Sequence, residues 1–180
     1  GHAAFTSLRK RGGSLSDVAV LVVDINDGFK PQTKEAVEIL KACKTPFVIA
    51  ANKIDLISGW RSGKSEFLLQ SLAAQQEFVK ELFETKLYEL VGQLFEQFQM
   101  SGERFDRVDD FTKTVAIVPC SAKTGEGIPE LLMVIAGLAQ RYLENSLKVT
   151  GTAAKGTILE VKPPVVRMAR MTWSRLTRCW

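Results

Sequence analysis

Apolar and polar positions along the chain fall into blocks that read helix, strand, helix, strand, helix, strand, helix. His2 to Arg11 predicts a helix with Phe5 and Leu8 on one face and Gly12-Gly13 as its stop. Val18 to Val23 is an unbroken apolar run ending in Asp24, the pattern of a strand buried on both faces of a parallel sheet. Asn26-Asp27-Gly28 is a turn, and Pro31 sits where the first turn of a helix tolerates it. That helix presents Ala36, Val37, Leu40 and Cys43 as its apolar face and runs towards Thr45-Pro46. Phe47 to Ala51 predicts a second buried strand, which delivers the chain into Asn52. Across Glu77 to Met100, Val79, Leu82, Phe83, Leu87, Leu90, Val91, Leu94, Phe95 and Phe98 recur at helical spacing. One long amphipathic helix follows, its aromatic stripe read as core packing in preference to a binding groove. Gly102 to Asp110 is polar and reads as a loop, Val115 to Val118 as a third buried strand, and Ile128 to Leu143 as a last helix.

Strands separated by helices give an α/β fold, a three-layer sandwich in which a parallel sheet is covered on both faces. Ligands of such sheets sit beyond the carboxyl ends of the strands. All three strands end in residues with chemistry: Asp24, Asn52 to Asp55, and Ser121 to Lys123.

Composition narrows the class. Hydrophobic residues at 46% and charged residues at 24% are globular proportions, and 180 residues suffice for one domain with its own core. No apolar run approaches the roughly 18 residues that cross a bilayer, and no signal peptide precedes the basic stretch Arg9-Lys10-Arg11. Membrane partners are therefore not expected, and the expected location is cytoplasmic. The net charge of +4 comes from Arg167, Arg170, Arg175 and Arg178; residues 1–162 hold 20 basic and 20 acidic residues. The body of the chain is thus not a polyanion-binding surface by charge alone. Cys43, Cys120 and Cys179 are odd in number and lack metal-ligand spacing, so they read as reduced thiols, two of them buried. With His2 as the single histidine, no multi-histidine metal site is expected.

The loop after the second strand carries the most specific chemistry. Guanine offers two adjacent donors, N1–H and its exocyclic amine, and an acceptor at O6. A fixed carboxylate accepts both donors at once, and Asp55 is the residue placed to do so. Adenine would leave that carboxylate unpaired. Asn52 can serve the base edge near N7 and pin neighbouring loops through its amide. Lys53 and Lys123 can lay aliphatic stems over the two ring faces, and the Ala122 N–H can donate to O6. A polar loop with a helix-capping aspartate would contain the same four residues. The buried strand before it, and a later buried strand leading into Ser121-Ala122-Lys123, favour the base-reading loop.

Asn52-Lys53-Ile54-Asp55 and Ser121-Ala122-Lys123 resemble the fourth and fifth signature boxes of GTPases. Gly1-His2-Ala3-Ala4-Phe5 resembles the end of the Asp-Thr-Pro-Gly-His box of translational GTPases. Leu8 to Gly12, Val22 to Thr33 and Gly59-Trp60-Arg61 resemble, more narrowly, the archaeal initiation factor 2 family, the counterpart of eukaryotic initiation factor 5B. The resemblance covers residues 1 to about 162 and implies a P-loop GTPase fold, GTP or GDP as ligand, and Mg²⁺ as cofactor. It further implies GTP hydrolysis during ribosomal subunit joining, with the ribosome and initiator tRNA as partners. Gly1 matches the glycine whose amide contacts the γ-phosphate, and His2 the catalytic histidine that places the attacking water. Read without the family, His2 is a residue at a helix start. A guanine-nucleotide switch module without significant hydrolysis and a ribosome-assembly GTPase are the alternative readings.

The sequence lacks a Gly-x-x-x-x-Gly-Lys-Ser/Thr loop, an upstream Thr for magnesium, and Asp-Thr-Pro before Gly1. An N-terminally truncated domain is expected, with the phosphate loop and the metal ligands upstream, and weak or no hydrolysis by these residues alone. Gly59 to Ser65 has the residue types of a phosphate loop but only three residues between its glycines, and it follows no buried strand. It is not expected to bind phosphate. Residues 1–147 read as the C-terminal part of the GTP-binding domain, and 148–162 as a linker and the first strand of a β-barrel. Residues 163–180 are an atypical basic tail. That tail is either a basic amphipathic segment for RNA or membrane or the product of a shifted reading frame.

Overall fold

The computed structural model describes residues 16–63 and 65–143. The expected helix over His2 to Arg11 lies outside them. The chain divides into units of residues 1–149 and 150–180, and the second unit lies wholly outside the described residues.

The apolar blocks become β1 (Ala19–Asp24), β2 (Phe47–Asn52) and β4 (Thr114–Pro119), with a further strand, β3 (Ser101–Arg104). Four helices lie between and after them: α1 (Pro31–Cys43), α2 (Leu68–Ala73), α3 (Glu77–Phe98) and α4 (Ile128–Leu143). The sheet order is β1-β2-β4-β3 and every pairing is parallel, with Asp24 level with Asn52 and Ala51 level with Pro119. That register brings the ends of the three apolar strands to one rim of the sheet, where the polar loops meet.

The central strands explain why the rim is rigid. Val48, Ile49, Ala51, Ile117 and Val118 have no exposed surface, so residues pointing to both faces of β2 and β4 are covered. α1 and α3 lie side by side: Lys41 Nζ donates to the Phe98 carbonyl at 3.0 Å, and the Phe29 and Phe98 rings meet edge to face at 5.7 Å. α4 packs on β2 and β4. β1 departs from the expected pattern. Leu21 and Val23 are buried, but Val20 and Val22 are 41% and 60% exposed, so among the described residues β1 is covered on one face only.

Three other expectations change. The polar stretch from Gly102 is not all loop, because Ser101–Arg104 pairs with Thr114–Ile117 as β3. Its partners are backbone groups, which an apolar pattern cannot reveal. Gly102 permits the close crossing of α3, since a Cβ there would stand 2.6 Å from Leu94 Cδ2. Arg104 is buried and forms ion pairs with Glu84 at 2.7 Å and Asp106 at 2.6 Å. Burial alone would raise the Asp106 carboxyl, but the Arg104 guanidinium outweighs it and holds it below its ordinary value. On α3, Phe95 is 54% exposed, because the buried stripe runs through Phe83, Leu87, Leu90, Leu94 and Phe98. Cys43, expected on the apolar face of α1, is exposed at its last position, whereas Cys120 is buried. Cys179 lies outside the described residues.

Phe83 has no exposed surface and packs against Trp60 at 5.8 Å between ring centroids. Phe83→Ala is expected to cost about 3–5 kcal/mol of stability, read as a lower midpoint in urea unfolding.

Candidate functional site

β2 ends at Asn52, and the chain then passes through Lys53 in a left-handed conformation, φ 70°, into the 3-10 turn Ile54–Leu56. The turn is fastened from both sides. The Ile54 N–H donates to the Cys120 carbonyl at 3.3 Å, the Cys120 N–H donates to the Ala51 carbonyl at 2.8 Å, and the Ile54 side chain is fully buried. Asp55 is thereby held at the rim, half-buried.

The two loops are joined through side chains. Asn52 Oδ1 accepts the N–H of Lys53 at 2.8 Å and the N–H of Ala122 at 2.9 Å. Ser121 Oγ donates to Asp55 Oδ1 at 2.6 Å and accepts the Thr124 N–H at 3.2 Å. Asn52, Lys53, Asp55, Ser121 and Ala122 therefore form one constellation, with exposed Lys123 next along the loop. The Ala122 N–H, expected to face O6 of a guanine, is bonded to Asn52. A base would have to share or displace that bond. Gly1 and His2 lie outside the described residues.

Two residues of this rim take roles that were not expected: Asp24, read only as a strand end with chemistry, and Asn26, read only as part of a turn. Asp24 Oδ2 pairs with Lys53 Nζ at 2.7 Å, and Asp24 Oδ1 accepts the Asn26 N–H at 3.0 Å. Asn26 Nδ2 in turn donates to the Lys53 carbonyl at 3.3 Å. Asp24 and Asn26 thus hold the side chain and backbone of a lysine whose positive φ is unfavourable for a residue with a Cβ. Burial tends to raise the Asp24 carboxyl, but the Lys53 ammonium and the Asn26 donors prevail and lower it. The only sequence signal for this pair is an acidic residue at a strand end.

Glu126 is the third unexpected residue. It is 1% exposed, yet its carboxylate accepts Thr124 Oγ1 at 2.7 Å, Trp60 Nε1 at 3.4 Å, and the Ser71 hydroxyl in a short bond. Its carbonyl accepts the Ser121 N–H at 2.8 Å. Burial pushes its pKa up, but these donors, with Ser62, outweigh it and leave the carboxyl below its ordinary value. Gly127 follows with φ 79°, and a Cβ there would collide with the Pro119 carbonyl oxygen. Burial pushes the Cys120 thiol up to about 11, so it is neutral and unreactive at the base of the loop. Within the Gly59 to Ser65 stretch the Arg61 N–H is taken by Gln75 Oε1 at 2.9 Å, and a Cβ at Gly59 would collide with the Phe78 ring.

Two loops, one Asn-Lys-x-Asp and one Ser-Ala-Lys, thus meet at the carboxyl rim of a parallel sheet. The family model described as "Elongation factor Tu GTP binding domain" matches residues 1–141, and the chain belongs to that family. Within it, the chain is 56% identical over 163 residues to "Probable translation initiation factor IF-2" of Archaeoglobus fulgidus. It is 60% identical over 164 residues to the protein of the same name from Methanocella arvoryzae. Each match covers 90% of this chain and 27% of the relative, so the chain spans about a quarter of their length. Among solved structures it is similar to GDP-bound aIF5B from Aeropyrum pernix, with a TM-score of 0.80 and 51% identity over 90% of this chain and 27% of that one. A bacterial selenocysteine-specific elongation factor shares the fold, at 22% identity and a TM-score of 0.51 over 78% of this chain and 18% of that one.

Glu126 also sets a pH dependence. A carboxyl whose folded pKa lies below its ordinary value of 4.5 contributes stability above that value and loses it as pH falls through the folded value. Stability is expected to drop on acidification below about pH 4.5, and Glu126→Gln should make that dependence shallower. Thermal melts across a pH series read both.

Proposed function

We propose that this chain is the guanine-recognising part of a translation initiation factor that binds and hydrolyses GTP. The observation that carries the reading is the joined pair of loops, in which Ser121 holds the Asp55 carboxylate and Asn52 holds Ala122. Ser121 takes Asp55 Oδ1 from one side. The carboxylate then accepts N1–H and the exocyclic amine of guanine, a pair of charge-assisted bonds that adenine cannot supply. Lys53, extended by its ion pair with Asp24, and Lys123 flank the ring with their aliphatic stems. The Ala122 N–H turns from Asn52 towards O6 as the base enters, and Asn52 serves the N7 edge.

By likeness to the relatives, GTP is hydrolysed while ribosomal subunits join, with initiator tRNA on the ribosome as a further partner. Gly1 serves the γ-phosphate through its amide, and His2 positions the attacking water. Residues 148–162 would lead into a β-barrel, and a cytoplasmic location fits this work. No helix among the described residues is long and apolar enough to cross a membrane. No group of three or more His, Cys, Asp or Glu among them could hold a metal ion, so Mg²⁺ would take its ligands from elsewhere and no step is assigned to it. Residues 1–180 contain no Gly-x-x-x-x-Gly-Lys loop. GTP turnover by these residues alone is accordingly expected to be weak or absent, and measurable release of phosphate would contradict that.

The base reading has a direct test in the full-length protein. Asp55→Asn replaces an acceptor with an amide that donates to the 2-oxo group of xanthine. GDP affinity is expected to fall by about tenfold or more, with XDP becoming the preferred ligand in calorimetric titration. Unchanged GDP affinity would sink the assignment of Asp55.

A further inference from the structure

Among the described residues, the buried Glu126 carboxylate is met by the hydroxyls of Ser62, Ser71 and Thr124 and the indole of Trp60, all neutral donors. A buried carboxylate is costly unless its lone pairs are satisfied, so such an arrangement holds only while several segments stay in place together. Thr124 belongs to the loop that carries Ser121 to Lys123. Trp60 and Ser71 belong to the stretch between the Asn52–Asp55 loop and α3.

That stretch is clamped to the start of α4 at further points. The Gly127 N–H donates to the Glu66 carbonyl at 2.8 Å, and the Leu68 N–H donates to Glu130 Oε1 at 2.7 Å. Within the stretch, Gln75 Nε2 bonds the carbonyls of Arg61 at 2.9 Å and Ser71 at 3.0 Å. Residues 60–63 and 65–75 therefore act as a brace, and the Glu126 side chain is the link from that brace to the second loop.

From Glu126 the path to Asp55 is two hydrogen bonds long. Its carbonyl accepts the Ser121 N–H, and the Ser121 hydroxyl donates to Asp55. We propose that Glu126 is a positioning residue for guanine selectivity, holding Ser121 against Asp55 by anchoring the second loop to that brace. The inference rests on the guanine-site reading given above. Without the carboxylate, the Thr124 and Ser71 hydroxyls and the Trp60 N–H lose their common acceptor. Ser121 then drifts from Asp55, and the carboxylate no longer presents a fixed edge to the exocyclic amine.

The test uses GDP and IDP, whose bases differ only in that amine, titrated into the full-length protein. A staple that merely stabilised the fold would weaken both ligands equally. Positioning of Asp55 predicts that Glu126→Ala lowers the preference for GDP over IDP by about three- to tenfold. Glu126→Gln, which keeps the shape and one acceptor oxygen, should retain more of the preference. Ser71→Ala removes a donor in the brace that touches neither loop, and should lower the preference by roughly two- to threefold. It decides the matter alone if Glu126→Ala does not fold. Equal weakening of GDP and IDP, or no change in either, overturns the proposal. Asp55→Asn in the same assay separates the two readings. If it moves preference to XDP while the Glu126 and Ser71 variants keep the GDP-to-IDP ratio, only the positioning role is lost; if it does not, the guanine site itself is misassigned.

Discussion

The rim of this domain depends on one acceptor, Asn52 Oδ1, which takes the N–H groups of Lys53 and Ala122 together. The two amides come from loops that leave different strands, about seventy residues apart in sequence. A single side-chain oxygen fixes the distance between them, and shortening or lengthening that side chain would break both bonds. The function proposed for the two loops presupposes this separation. Ser121 reaches Asp55, and Lys53 reaches Asp24, only because the strands beneath end level with one another.

Strand register supplies that levelness, and side-chain burial supplies the register. A slip of one residue in β2 would exchange the faces presented by Val48 and Ile49, both of which have no exposed surface. Since both faces are filled, the sheet has little freedom to shift under load from a ligand. The loops above can then be polar and strained, as Lys53 is at φ 70°, while the strands stay fixed.

What is legible in the sequence follows from the same division. Phe47–Asn52 and Thr114–Pro119 stand out as apolar runs because they are buried on two faces, and each points directly at its loop. Asn52, Asp55 and Ser121 are therefore readable as a group from the order of residues alone. β3 is not, since Ser101–Arg104 joins the sheet through backbone bonds and a buried arginine instead of apolar side chains. Nor is Val22, which looks like core in an apolar run yet is exposed. Phe95 misleads in the same manner, because helical spacing alone does not fix the width of the buried stripe. Asn26 and Glu126 escape as site residues, and Asp24 is read as a strand end without its role, for another reason. Their partners lie far off in sequence, and a polar residue carries no mark of which distant donor will reach it.

Arg104 and Glu126 show two ways to bury a charge, with different consequences for function. Arg104 meets Glu84 and Asp106, so its charge is balanced by opposite charge, and the attraction tolerates small changes in angle or distance. Among the described residues Glu126 meets neutral dipoles, whose interaction falls off more steeply with distance and orientation. The first arrangement fastens α3 to the end of β3, on a strand that carries neither of the two joined loops. The second stands beneath the loop that bears Ser121. A carboxylate satisfied by directional neutral donors is stable in essentially one geometry, so the cost of keeping it buried is also what keeps that loop from wandering.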